Sequence, residues 1–313
     1  MTPEDDDADE SPGPGTTADL PDGDLSLLRD LASAPGGLWR ETRNHMLVHI
    51  PGRDRLVTAF DNLAAHKVKG PRLPWSWRLV QGQGWGMLGV MVKRADWFRC
   101  PELIAELERL RDEGLFASYP AVAMYGASMG GFGAATFAGL APGCTVVAYA
   151  PQSTLSAALA PFETRYAMAR RRTDWTGRYA DAAEGLRAAA RAYVVLDPRV
   201  PEDALHAARL RGPNVTELRW PHLGHKVPPS LLRMGVLKPM AIAMLAGELT
   251  RDEFLRLMRA RRGSTRYLVR LIGAAAARHP RLALAAAERA LLANDDWQIR
   301  KLRRALRQQL AGR

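Results

Sequence analysis

The chain has 313 residues, 47% of them hydrophobic and 25% charged, a globular composition that excludes wholesale disorder and leaves room for one large domain with an appendage. Lys and Arg number 44 against 33 Asp and Glu, a formal charge of +11. Nine of the acids, from Glu4 to Asp24, precede the first base, Arg29, so the remainder carries +20; such a field attracts polyanions, acidic substrates or anionic lipid heads but specifies neither fold nor reaction.

Residues 1–24 combine acid repulsion with Pro and Gly, and Leu20 is their only large aliphatic besides Met1. Disorder is the expectation for this tail. Segments 45–50 and 56–60 read as strands, with Pro51-Gly52-Arg53-Asp54 as the turn between them. Another strand is expected over 87–92. A helix follows over 101–113, with Pro101 in its first turn and Leu103, Ile104, Leu107 and Leu110 as its apolar stripe. Further strands are expected over 121–125, 144–149, 192–196 and 215–220, each separated from the next by room for a helix. That alternation indicates an α/β fold, a mostly parallel sheet with helices on both faces. The longest uncharged run, 114–162, is cut by Pro120, Pro142, Pro151 and Pro161, so it reads as buried core and not as a membrane span. Segment 152–191 is longer than one crossover requires and is expected to form a lid-like insertion at the carboxyl ends of the strands. From Thr250-Arg251-Asp252-Glu253, a capping-box pattern, helices are expected over 251–260, 265–278, 281–293 and 296–310. The chain thus divides into an acidic tail (1–24), an α/β domain (25–249) and a basic helical C-terminal extension (250–313).

Cys100 and Cys144 are too few for a disulfide framework, and the acidic start lacks a signal peptide's basic and apolar regions; a reducing cytoplasm is the expected location. No ligand set has zinc-like spacing, and no phosphate-binding loop occurs. Gly82-Gln83-Gly84-Trp85-Gly86 precedes a strand where a dinucleotide fingerprint would follow one, so neither metal nor cofactor is expected.

Directly after the strand 121–125 comes Gly126-Ala127-Ser128-Met129-Gly130-Gly131, then a small-residue helix over 132–138. This is G-x-S-x-G between a strand and a helix, where a serine on a sharp turn needs small neighbours two residues away on either side. The helix points its amide dipoles at the serine and favours negative charge developing there. At this motif the chain resembles the α/β-hydrolase superfamily, in particular bacterial serine hydrolases with a Y-G-x-S-M-G-G elbow, over residues 40–246. The resemblance implies an α/β-hydrolase fold and a catalytic triad in the order Ser, Asp or Glu, His, with the acid after the next-to-last strand and the histidine after the last.

Both places are occupied. Pro221-His222-Leu223-Gly224-His225 follows the last strand and resembles the superfamily's histidine loop, making His225 the general base, with His222 in reserve. Asp197 opens Asp197-Pro198-Arg199-Val200-Pro201, similar to the loop that often carries the triad acid. Asp203 is the alternative, although it also reads as an acid in a helix's first turn. The oxyanion hole would draw on the amide of Met129 and, by position, on Asn62. The other histidines are expected to be structural or exposed. Trp75, Trp77, Trp85 and Trp97, with Phe162, Tyr166 and Trp175 in the insertion, suit either a wall for an acyl chain or sugar ring or core packing; Arg165, Arg170, Arg171, Arg172 and Arg178 suit either an anionic substrate or a solvated helix face.

The expected function is therefore a serine hydrolase acting on a small ester or thioester through an acyl-enzyme, or an acyl (acetyl) transferase using the same intermediate. The alternative is a non-catalytic accessory protein of the same fold. The C-terminal extension, with 16 basic and five acidic residues over 251–313, has a narrow apolar stripe that needs a partner surface, either the α/β domain or another chain; it is expected to dock, with a protein or anionic partner as the outside candidate, and to supply no chemistry. Charge alone, without a reading motif, does not support nucleic-acid binding.

Overall fold

The computed structural model describes residues 24–63 and 71–312; the acidic segment 1–23 and His66 lie outside them. The elements in chain order are α1 (Ser26–Ala32), β1 (Leu38–Glu41), β2 (His45–Ile50), β3 (Arg53–Phe60), α2 (Trp77–Gln81), β4 (Trp85–Val92), α3 (Pro101–Asp112), β5 (Ala121–Ala127), α4 (Met129–Thr136) and β6 (Thr145–Tyr149). Then come α5 (Ala167–Arg172), α6 (Ala182–Gly185), β7 (Arg191–Leu196), α7 (Pro201–Arg209), β8 (Val215–Arg219), α8 (Val227–Arg233), α9 (Leu237–Ala246), α10 (Arg251–Leu257), α11 (Thr265–Ala276), α12 (Pro280–Ala293) and α13 (Trp297–Ala311).

The eight strands form one sheet in the order β1-β2-β4-β3-β5-β6-β7-β8. β2 runs antiparallel to both its neighbours, and β4 through β8 are mutually parallel. With helices on both faces, this is the α/β-hydrolase fold. The seven expected strands are all present. β1 carries no alternation to betray it, being four half-exposed residues on the sheet edge. The turn after β2 does not make a hairpin, because β4 lies between β2 and β3. The crossing is tight enough to demand Gly52, whose added Cβ would stand 2.2 Å from the Gly86 nitrogen.

Alternation along the central strands divides the core into two layers. Phe60, Met124, Val146, Ala148 and Val194 face one layer, covered by α3, α4, α6 and α7. Val57, Ala123, Tyr125, Val147 and Val195 face the other, covered by α2, α8, α9 and α10. Of the expected capping box the N-cap half is seen: Glu253 N donates to Thr250 Oγ1 over 3.2 Å, while the Glu253 carboxylate pairs with Arg256. Helix α10 buries Phe254 in the second layer, whereas α11–α13 enclose a small core of their own around Ile272, Ala287, Ile299 and Leu306. Tyr267 of α11 crosses back into the second layer. Among the described residues, no helix is long and apolar enough to cross a membrane.

Candidate active site

The carboxyl ends of β5, β7 and β8 bring three of the expected residues together. Ser128 sits between β5 and α4 with φ 53° and ψ −119°, a strained conformation that persists only where the surroundings fix it. They do so from both sides: Ser128 N donates to Tyr149 O (2.8 Å), and Phe132 N donates to Ser128 O (2.9 Å). The two glycines of the motif are steric necessities. A Cβ on Gly126 would lie 2.0 Å from the Gly130 carbonyl oxygen, and one on Gly130 would lie 2.4 Å from that of Phe60.

His225 stands on the loop after β8, where Gly224 takes φ +71°. Its Nε2 is 3.0 Å from Ser128 Oγ, and its Nδ1 is 2.8 Å from Asp203 Oδ2. The carboxylate facing the histidine is therefore Asp203, not Asp197. Asp203 lies in the first turn of α7, 1% exposed, and this turn aims it at the imidazole. Asp197 is also buried, but its oxygens are taken by backbone amides: Oδ1 accepts from Arg199 N (2.9 Å) and Oδ2 from Gly224 N (2.8 Å). Its work is to brace the loop one residue before His225. His222, the reserve base, packs its ring edge-on against Tyr267, with centroids 6.0 Å apart.

With Asp203 Oδ2 accepting a hydrogen bond from His225 Nδ1–H, Nε2 is left to accept from Ser128. The serine hydroxyl has a second acceptor in Gln152 Oε1, at the longer distance of 3.4 Å. Tyr166 Oη also lies 3.4 Å from His225 Nε2, its phenol pushed up to about 12 by burial. Gln152 escaped the sequence reading. Its one signal is its place just past the end of β6, at the sheet edge where such folds bind ligands.

Arg165 is no solvated helix-face residue. Its guanidinium donates to Asp203 Oδ1 (2.9 Å) and to Glu163 Oε2 (2.6 Å). Glu163 also accepts from His206 Nε2 at 3.0 Å. Burial opposes the Glu163 charge, but the bonds from His206 and Arg165 outweigh it and hold the carboxyl at about 2. Ser153 N donates to His206 Nδ1 (3.0 Å), so the His206 proton is on Nε2. This chain of groups locks Asp203 from behind.

Of the two expected oxyanion residues, Met129 opens α4, and Asn62 follows the end of β3, where Phe60 pairs with Gly126. The C-terminal extension reaches the site indirectly. Trp220 Nε1 donates to Tyr267 Oη over 3.1 Å, and the Arg270 guanidinium donates to the Leu223 carbonyl. Helix α11 thus braces the loop carrying His225, so this part of the extension packs on the α/β domain, one of the two surfaces expected for it.

No family model matches the sequence, and no curated protein matches it. Solved structures do resemble it. The capsule O-acetyltransferase of Neisseria meningitidis serogroup A matches over 70% of this chain and 99% of its own, at 10% identity and a TM-score of 0.46. Esterase LipW from Mycobacterium marinum matches over 75% of this chain and 85% of its own, at 14% identity and a TM-score of 0.44. Mycobacterium tuberculosis MPT51 matches over 67% of this chain and 96% of its own, at 17% identity and a TM-score of 0.44. The likeness is weak in each case.

Proposed function

We propose that the chain is a serine hydrolase that cleaves a small ester or thioester through an acyl-enzyme, with transfer of the acyl group to a hydroxyl as the variant of the same chemistry. The observation that carries this reading is the relay from Ser128 Oγ through His225 to Asp203, with contacts of 3.0 and 2.8 Å. Ser128 attacks the carbonyl carbon while its proton passes to His225 Nε2; Asp203 stabilises the imidazolium. The amides of Met129 and Asn62 are assigned to the oxyanion, and the amide dipoles of α4 favour the same charge. The tetrahedral intermediate collapses, the C–O or C–S bond breaks, and His225 returns its proton to the leaving group. Water or an acceptor hydroxyl, deprotonated in turn by His225, then releases the acyl group and regenerates Ser128.

Tyr166 closes over His225, and Trp97 packs on Tyr166 with ring centroids 4.9 Å apart. A fluorophosphonate probe and p-nitrophenyl esters of graded chain length test the reading. Ser128 is expected to label rapidly and at least one short ester to be turned over; Ser128→Ala should lose labelling and lose turnover by ~10⁴-fold to 10⁶-fold. A folded protein whose Ser128 resists the probe would instead be a non-catalytic member of the fold.

A further inference from the structure

A second cluster of chemically active side chains lies away from Ser128. His45 is the first residue of β2 and pairs in register with Val92 at the end of β4. Asp96 follows in the turn after β4, and Cys100 immediately precedes α3. One ligand atom from each of the three lies within 4.8 Å of the others. His45 is fully buried, and its Nε2 is 3.0 Å from Asp96 Oδ1. The polar groups facing this buried ring are the Asp96 carboxylate and the Cys100 thiol, but neither ring nitrogen makes a well-angled hydrogen bond to them. Shared coordination of one cation would satisfy all three groups together.

We propose that His45, Asp96 and Cys100 form a binding site for a zinc-class divalent cation, with a fourth position left for water. The donor set of one nitrogen, one carboxylate oxygen and one sulfur suits zinc or cobalt; magnesium and calcium take oxygen ligands. Tetrahedral bonds of 2.0–2.3 Å require ligand atoms about 3.3–3.8 Å apart, so atoms now within 4.8 Å of one another must close by up to about 1 Å around an ion. The carboxylate is already held as outer partners hold metal ligands: Asn44 Nδ2 donates to Asp96 Oδ2 (2.9 Å) and Phe98 N to Oδ1 (3.0 Å). In sequence the site is invisible, because His45 is too far from Asp96 and Cys100 to form a spaced motif.

The ion would clip the start of β2 to the turn between Asp96 and Cys100. Within that turn Trp97 and Phe98 both take positive φ, 60° and 57°, and Trp97 is the residue that packs on Tyr166. The metal is thereby assigned a structural role behind the aromatic wall, independent of whether Ser128 is a nucleophile.

Chelator-treated full-length protein titrated with Co²⁺ tests this. Tetrahedral cobalt bands and a thiolate-to-cobalt charge-transfer band are expected to saturate at a single ion per chain and to be displaced by Zn²⁺. Cys100→Ser should abolish the charge-transfer band and weaken Zn²⁺ binding by about 100-fold or more; Cys144→Ser, at the other free cysteine, should change neither. Absence of a saturating band in the parent protein, or its survival in Cys100→Ser, overturns the site. Should Cys100→Ser fail to fold, Asp96→Asn keeps the thiol and provides a second reading. Zn²⁺ should then raise Tm in the parent and not in this variant, and an equal rise in both overturns the proposal.

Discussion

Exchanging each of the two buried aspartates for asparagine separates the group that orients His225 from the group that braces its loop. In Asp203→Asn, Arg165 dictates the amide orientation: it donates to Oδ1 at 2.9 Å, so the amide oxygen stays there and the NH₂ replaces Oδ2 against His225 Nδ1. Two donors cannot share that 2.8 Å contact, and the imidazole must carry its proton on Nε2, where it no longer accepts from Ser128. Wrong-tautomer variants of this kind lose ~10⁴-fold in kcat. In Asp197→Asn the tautomer is untouched. The amide oxygen can still accept one of the two backbone N–H groups now bonded to Asp197, from Arg199 and Gly224, and the other is left facing NH₂. That mismatch should cost about 1–3 kcal/mol of stability, and a loosened loop should slow turnover by less than ~100-fold, under about 2.7 kcal/mol of barrier. Initial rates on p-nitrophenyl acetate, read beside Tm for each variant, measure both effects. If folded Asp197→Asn loses as much kcat/KM as Asp203→Asn, the assignment of Asp203 is refuted.

Three further outcomes follow from the same geometry. Glu163 has a folded-state pKa of about 2 against an ordinary 4.5, so its contribution is fully present above pH 4.5 and is lost as pH falls toward 2. Acid titration of stability should therefore be steeper in the parent than in Glu163→Gln, by about 3 kcal/mol over that window, and parallel curves would refute the network. Gly126→Ala and Gly130→Ala force a Cβ into backbone oxygens at 2.0 and 2.4 Å and should cost about 3 kcal/mol or more, read by denaturant unfolding; a neutral result would contradict the elbow geometry. Removal of 264–313 keeps Phe254 in the core but deletes Tyr267 and Arg270 from the histidine loop. The folded remainder should turn over a small ester about tenfold more slowly, the value of one or two lost hydrogen bonds, whereas unchanged kinetics would show that α11 does not support the loop.

Local pattern sufficed for much of this molecule. Short apolar runs spaced by helical segments mark the strands from β2 to β8, and the glycines two residues from Ser128 are legible because a turn that sharp excludes side chains by local sterics. Gly224 before His225 is legible for a related reason, since the loop needs a positive φ there. Strand neighbours were not legible: a turn signal at Pro51-Gly52 says that the chain reverses, and only long-range pairing puts β4 between β2 and β3. The choice between Asp197 and Asp203 also lay beyond the sequence, because both sit after β7 and the decision depends on which direction each carboxylate points once α7 and the histidine loop have packed. Arg165 read as one more basic residue on a helix face until tertiary packing set it between Asp203 and Glu163. Gln152 and Tyr166 are in the same class: charge, hydropathy and spacing are properties along the chain, whereas the approach of a side chain to Ser128 or His225 is a distance across it, created only when the sheet and its helices close around the core.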